Sequence, residues 1–308
     1  RATPPGLLAM AWSLVAAWGC EFQPPDDPAC VHAEMTLEVE QIGPVRVDLV
    51  FWIDDSPSMV EEQAAIAEQI PRLVRELIDP ADRDGDTRPD HPPVEDLNLG
   101  ILAPGGPTTS PLDGCLGPDG EGGGCLLTSP PVASVGCGSS FPPFQSWDVF
   151  HDDADDVERL AHDIGCLTSL GTAGCPYEQP LATMIRALTD EAGPEGCNAG
   201  FLRDDAILGM LWITDEDDGS ASAEHPELFD PATPLGEPDV RAALHPELLE
   251  PVNSFVYALR SLKPAWDINK IILGMIVGVP PEAPACIGDG NHLEACLGIP
   301  AMQVELDP

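Results

Sequence analysis

Three stretches of the chain are apolar almost without interruption: Val47–Ile53 (VDLVFWI), Ala206–Thr214 (AILGMLWIT) and Lys270–Val279 (KIILGMIVGV), with a shorter run at Leu97–Leu102. Continuous β-rich runs of this length are the pattern of strands, and the first two read as strands buried in a sheet, the first on both faces. Between them the apolar period lengthens to that of a helix. Ile66, Ile70, Leu73, Val74 and Leu77 lie on one stripe and predict a helix over 60–78, with Pro71 expected to kink it. Asp152 to Asp156 opens a second helix running to about Leu170, its acids suited to the positive N-terminal end. Pro180 starts a third through Leu188, and Asp239–Leu262 reads as largely helical despite Pro246 and Pro251. Buried strands alternating with helices indicate an α/β domain built on a mostly parallel sheet.

The flanks and one internal stretch depart from this pattern. Residues 1–20 carry an apolar segment, Leu7 to Gly19, behind Arg1, of the size of a signal-peptide core. Small residues before Cys20 resemble a bacterial lipobox, which would make Cys20 a lipidated residue; the alternative is an ordinary secretory signal with Cys20 in a disulfide. Either reading exports the protein. Residues 21–44 are rich in proline and acid and read as a tether, 45–279 as the α/β domain, and 280–308 as a cysteine-containing tail. Within the domain, 104–150 turns to Gly, Pro, Ser and Cys and reads as a disulfide-tied insertion.

Charge narrows the function classes. Fifty-three acidic against thirteen basic residues give a formal charge of −40 over 308 residues, which repels nucleic acid and anionic membrane surfaces and favours cations and basic partners. Ten cysteines in an exported chain suggest disulfides, with Cys115/Cys125, Cys166/Cys175 and Cys286/Cys296 as the short-range pairs. None has the spacing of a structural zinc site.

The chemistry collects where strands end. The first strand stops at Asp54-Asp55-Ser56-Pro57-Ser58, so Asp54, Ser56 and Ser58 offer one carboxylate and two hydroxyls, hard oxygen donors suited to Mg²⁺, Mn²⁺ or Ca²⁺. Capping of the helix that follows is the competing use of Ser56 or Ser58. The strand at 206–214 ends in Asp215-Glu216-Asp217-Asp218. In a parallel sheet two such loops meet if their strands are neighbours.

The DxSxS spacing at Asp54, Ser56 and Ser58 resembles that of von Willebrand factor type A domains, whose metal-ion-dependent adhesion site it opens. The resemblance covers about Val45 to Val279 and implies a Rossmann-like, doubly wound sheet with helices on both faces. It implies Asp215, preceded by Thr214, as the third-loop ligand, and Glu178, just before the Pro180 helix, in the second-loop position where a threonine is usual. A carboxylate there would largely neutralise a divalent ion. The TDEDD strand end preceded by Asn198 to Phe201 (NAGF) is similar to exported type A lipoproteins of myxobacteria and related bacteria. The expected function is therefore non-catalytic: a membrane-tethered, cation-dependent binding domain at the outer membrane or surface of a Gram-negative cell, facing a protein or polysaccharide partner.

Three further readings accompany it. Asp82, Asp84, Asp86 and Asp90 have the spacing of EF-hand and thrombospondin type 3 calcium loops, with Glu95 or Asp96 closing the shell; a solvated acidic turn is the plain alternative. The enzymatic alternative is a haloacid-dehalogenase-like phosphatase with Asp54 as nucleophile and Mg²⁺ on Asp215 and Asp218. That chemistry wants an acid at position 56, which is Ser, and a lysine before the last acidic loop, whereas the lysines are Lys263 and Lys270. A purely structural, calcium-stabilised domain is the third option.

Overall fold

The computed structural model describes residues 45–105, 115 and 123–277 apart from 176 and 223. Cys20, Cys286, Cys296 and the tether and tail expectations lie outside the described residues. Five strands form one sheet: β1 (Arg46–Ile53), β2 (Asp96–Leu102), β3 (Gln145–Asp148), β4 (Ile207–Thr214) and β5 (Ile271–Val277). Their order is β3-β2-β1-β4-β5. All neighbours are parallel except β2 with β3, which run antiparallel. β3 corrects the expectation for 104–150, since part of that stretch is an edge strand, held through Leu97 opposite Trp147. β5 begins one residue later than expected, because Lys270 closes a short 3₁₀ turn capped by the Asp267 side chain.

Successive side chains of a strand point to opposite faces, and the central strands use both. Phe51 and Ile53 of β1 and Leu97, Leu99 and Ile101 of β2 join one core, closed by α1 (Val60–Ile78) and α2 (Ala154–Leu167). Val50 and Trp52 of β1 with Leu208, Met210 and Trp212 of β4 join the other. That face is covered by α3 (Pro180–Leu188) and by Leu259 and Leu262 at the end of α5 (Val252–Ser261). Burial of both faces explains why β1 and β4 carry unbroken apolar runs. The architecture is mixed α/β with a mostly parallel sheet between helices.

α1 is a single 19-residue helix through Pro71, whose ring lies against Gly165 of α2: a Cβ there would meet Pro71 Cγ at 3.1 Å. α2 starts at a capping box between Asp153 and Asp156. The expected helix over 239–262 is broken into α4 (Arg241–Leu244), a 3₁₀ turn at Pro246–Leu248 and α5, because Pro246 and Pro251 each remove an amide donor.

At the opposite end of β1 from the acidic loop, Asp48 is fully buried between two cations. Its carboxylate accepts from Arg203 Nε at 2.7 Å and faces Lys263 Nζ at 3.5 Å, and Arg203 also pairs with Asp96. Asn198 of the NAGF segment is a structural pin. Its amide donates to Gly124 O at 2.7 Å and Ala187 O at 3.0 Å, and its Oδ1 accepts from Leu126 N at 2.8 Å.

Among the described residues the disulfides are Cys115–Cys175, Cys125–Cys197 and Cys137–Cys166. The expected Cys115/Cys125 and Cys166/Cys175 pairs are therefore wrong, although all four residues are disulfide-bonded. Short sequence separation misled because each cysteine of the insertion is tied to a segment after it: Cys137 to α2, Cys115 to the loop before α3 and Cys125 to the segment following α3. Three disulfides mark a protein of an oxidising compartment, extracellular or periplasmic. Among the described residues no helix is long and apolar enough to cross a membrane.

Candidate metal centre

Chain order puts β2 on one side of β1 and β4 on the other, so the sense in which the chain adds parallel strands switches between β1 and β4, where open α/β sheets leave a crevice for ligands. The register sets Ile53 opposite Ile213, and Asp54 N donates to Ile213 O at 2.9 Å. The two acidic loops thus leave adjacent strands at the same level, 160 residues apart in sequence.

Asp54 is fully buried and firmly held. Its Oδ1 accepts from Ser56 N at 2.8 Å and its Oδ2 from Thr214 Oγ1 at 2.6 Å, while Gln63 of α1 donates to Asp54 O at 2.7 Å. Ser56 Oγ lies 2.9 Å from Ser58 Oγ, and Ser58 Oγ donates to Asp215 Oδ1 at 3.1 Å. Ser56 Oγ, Ser58 Oγ and Asp215 Oδ1 thus form a hydrogen-bonded row, and the Asp54 carboxylate adjoins it through Ser56 N and Thr214 Oγ1. Ser56 makes no side-chain cap on the helix that follows.

Glu178 precedes Gln179, the residue before α3, and is 3 % exposed with neither carboxylate oxygen hydrogen-bonded. Burial raises its carboxyl well above the usual range, and Asp54, Asp55, Glu216 and Asp215 push the same way. Asp54 is also raised, chiefly by burial against the hydrogen bonds from Thr214 and Ser56. A buried carboxylate among acids with no counter-charge requires a proton or a cation. The donor set of two hydroxyls and several carboxylates is the kind that hard divalent ions take. Among the described residues, three of these acids do not come within 4.8 Å of one another; the close oxygens here are Ser56, Ser58 and Asp215.

Asp218, offered as a Mg²⁺ ligand in the phosphatase reading, is turned away. Its Oδ1 accepts from Leu181 N at 3.0 Å and Ser220 Oγ at 2.7 Å, capping α3. Lys263 is engaged with Asp48 at the other end of β1, about 20 Å along the strand from Asp54.

Asp82, Asp84 and Asp86 bring carboxylate oxygens within 4.8 Å of one another in an exposed loop. Asp90 does not join them, being paired with Arg83 at 3.3 Å, and Asp96 is taken by Arg203 and Arg46. The fourth expected ligand and one of the two closing acids are thus committed elsewhere by cations that the spacing argument did not weigh.

Sequence reasoning passed over Asp55. It is 7 % exposed, its Oδ1 has no partner, and burial together with neighbouring Asp54 raises its carboxyl to about 7. Its backbone carbonyl accepts from Gly174 N at 3.0 Å, so the loop before α3 is docked on the first acidic loop. A signal was present: an acid directly beside a strand end too apolar to solvate it.

No protein-family model and no curated protein matches the chain. Among solved structures, the chain is similar to the pilus adhesin RrgA of Streptococcus pneumoniae at 14 % identity, over 72 % of this chain and 24 % of that one, with a TM-score of 0.28. Proximal thread matrix protein 1 of the mussel byssus follows at 11 %, 75 %, 44 % and 0.28, and the tip pilin GBS104 of Group B Streptococcus agalactiae at 13 %, 57 %, 47 % and 0.25. The chain spans less than half the length of each. Likeness at these scores carries no argument about fold family or function.

Proposed function

We propose that this chain is an exported, non-catalytic binding domain of von Willebrand factor type A kind, tethered through Cys20 to a Gram-negative outer membrane or surface and dependent on a divalent cation for partner capture. Asp54, Ser56, Ser58 and Asp215 would hold the ion, with Glu178 as an additional carboxylate. Bound there, the ion would offset the crowded carboxylates and supply a coordination position for an oxygen of the partner at the sheet's crevice. The chain's own residues orient the donors: Thr214 and Ser56 N hold the Asp54 carboxylate, and Gln63 anchors its backbone. The partner is a protein or polysaccharide rather than nucleic acid, given the charge of −40.

The observation that carries this reading is Glu178, buried with both oxygens unpartnered among four other acids. Metal-free, such a carboxyl holds a proton; a cation is the other remedy.

Calorimetric titration with Mg²⁺, Mn²⁺ and Ca²⁺ tests it. The intact protein is expected to bind one ion at this site and to gain about 2.7 kcal/mol of stability at a hundredfold excess over Kd. Asp54→Ala is expected to lose that event, and Asp82→Ala to lose only a separate Ca²⁺ event if the Asp82–Asp84–Asp86 loop takes an ion. Full binding by Asp54→Ala refutes the reading.

A further inference from the structure

Next to the first acidic loop, with Asp55 in its lining, is a cavity of about 460 Å³. This is within the roughly 300–1,000 Å³ range of small-ligand sites. Its walls come from two elements: Ser129, Pro130, Pro131 and Val132 of the insertion, and Leu170 to Gly174 of the loop before α3, with Asp55 at one end. Apart from Asp55, the lining carries no charged residue.

The cavity is built rather than incidental. Cys137–Cys166 ties the insertion wall to α2, and Cys115–Cys175 anchors the loop immediately beyond Gly174. Gly171 has φ +84°, and a Cβ there would meet Val132 Cγ2 at 2.7 Å; at Gly174 a Cβ would overlap Asp55 Oδ1 at 1.6 Å. Both glycines therefore let the insertion and the Asp55 carboxylate close on bare backbone. Asp55 is held there without an ion pair, and its Oδ1 is buried without a hydrogen bond. A lone carboxylate in a pocket whose lining mixes Pro130, Pro131, Val132 and Leu170 with Ser129 and Thr172 complements a cation carried on a partly apolar stem.

We propose that this cavity receives a single arginine or lysine side chain of the binding partner, its stem against Pro130, Pro131, Val132 and Leu170 and its charged head on Asp55. The pocket names the partner's chemistry for the binding role proposed above: a protein presenting a basic side chain next to the cation-dependent contact. It rests on that role for its purpose, while its geometry is independent of the ion.

The test uses the full disulfide-bonded chain with N-acetyl-arginine amide and its neutral isostere N-acetyl-citrulline amide, at physiological salt. Binding is followed by amide NMR shifts, in EDTA and again with Mg²⁺. The arginine probe is expected to shift Val132, Gly171 and Gly174 saturably, and the citrulline probe not to. Asp55→Asn is expected to weaken the arginine probe about tenfold or more. Val132→Arg, which places the chain's own cation at the rim, is expected to block it, and Asp82→Ala to leave it unchanged. Equal binding of both probes, shifts indifferent to Asp55→Asn and Val132→Arg, or the same shifts from Mg²⁺ alone would overturn the proposal. Because the EDTA arm contains no divalent ion, failure of the pocket and failure of the metal site are read separately.

Discussion

Replacing Asp55 by asparagine isolates the electrostatic strain at the end of β1. Asp55 is 7 % exposed, adjoins Asp54 and has a carboxyl raised from 3.8 to about 7. Because the folded value lies above the unfolded one, the native state keeps a proton that the unfolded chain has already released. The site therefore costs nothing below the ordinary carboxylate range and destabilises progressively as pH rises towards and past 7. Carried to completion, a move of that size corresponds to about 4 kcal/mol. Between about pH 5.5 and pH 8, roughly half of it, about 2 kcal/mol, is expressed. Urea unfolding in EDTA, followed by tryptophan fluorescence with disulfides intact, measures it. Wild type is expected to lose about 2 kcal/mol more than Asp55→Asn over that interval. Asp54 and Asp218 are also raised and slope the same way in both proteins; Glu178 does too, and since Asp55 is one of the acids that raise it, Asp55→Asn relaxes it in the same direction. Parallel stability profiles for the two proteins would refute the assignment of a strained carboxyl to Asp55.

Other consequences are equally direct. Asp48→Ala strips the counter-charge from buried Lys263, leaves Arg203 with Asp96 alone, and is expected to cost about 3–5 kcal/mol in the same unfolding assay; a loss below about 1 kcal/mol would contradict the ion-pair account. Opening Cys125–Cys197, which spans 72 residues, by a double change to serine is expected to cost about 4 kcal/mol through the unfolded chain's entropy, visible as a lower urea midpoint at unchanged secondary structure. Gly174→Ala sets a methyl where Asp55 Oδ1 lies, so the carboxylate must leave its seat; the arginine probe should then bind as weakly as to Asp55→Asn, while Mg²⁺ binding at Asp54 persists.

How far the site was legible in the sequence depends on the reach of each signal. The DxSxS loop and the TDEDD strand end were visible because a strand must stop where its residues can no longer be buried, and that transition is local. Glu178 could be placed before α3 from Pro180, a helix-start residue. Its burial and empty hydrogen-bonding capacity could not, since both depend on segments far off in the chain, the first acidic loop upstream and the loop after β4 downstream. Asp90 shows the opposite failure: its spacing suited a calcium loop, yet Arg83 claims it, and spacing does not report competition from a cation.

Periodicity alone determined that β1, β4 and β5 are strands, that α1, α2 and α3 are helices, and that acid crowds the strand ends, because these features are set by neighbours within a turn or two of chain. Only the tertiary structure decided that β1 and β4 lie side by side with Ile53 against Ile213, which cysteines pair, that Asp48 is clasped by Arg203 and Lys263, and that Asp55 and Glu178 are buried without a counter-charge. Burial and electrostatic company are properties of the space around a residue, and distant segments supply that space only once the sheet has closed.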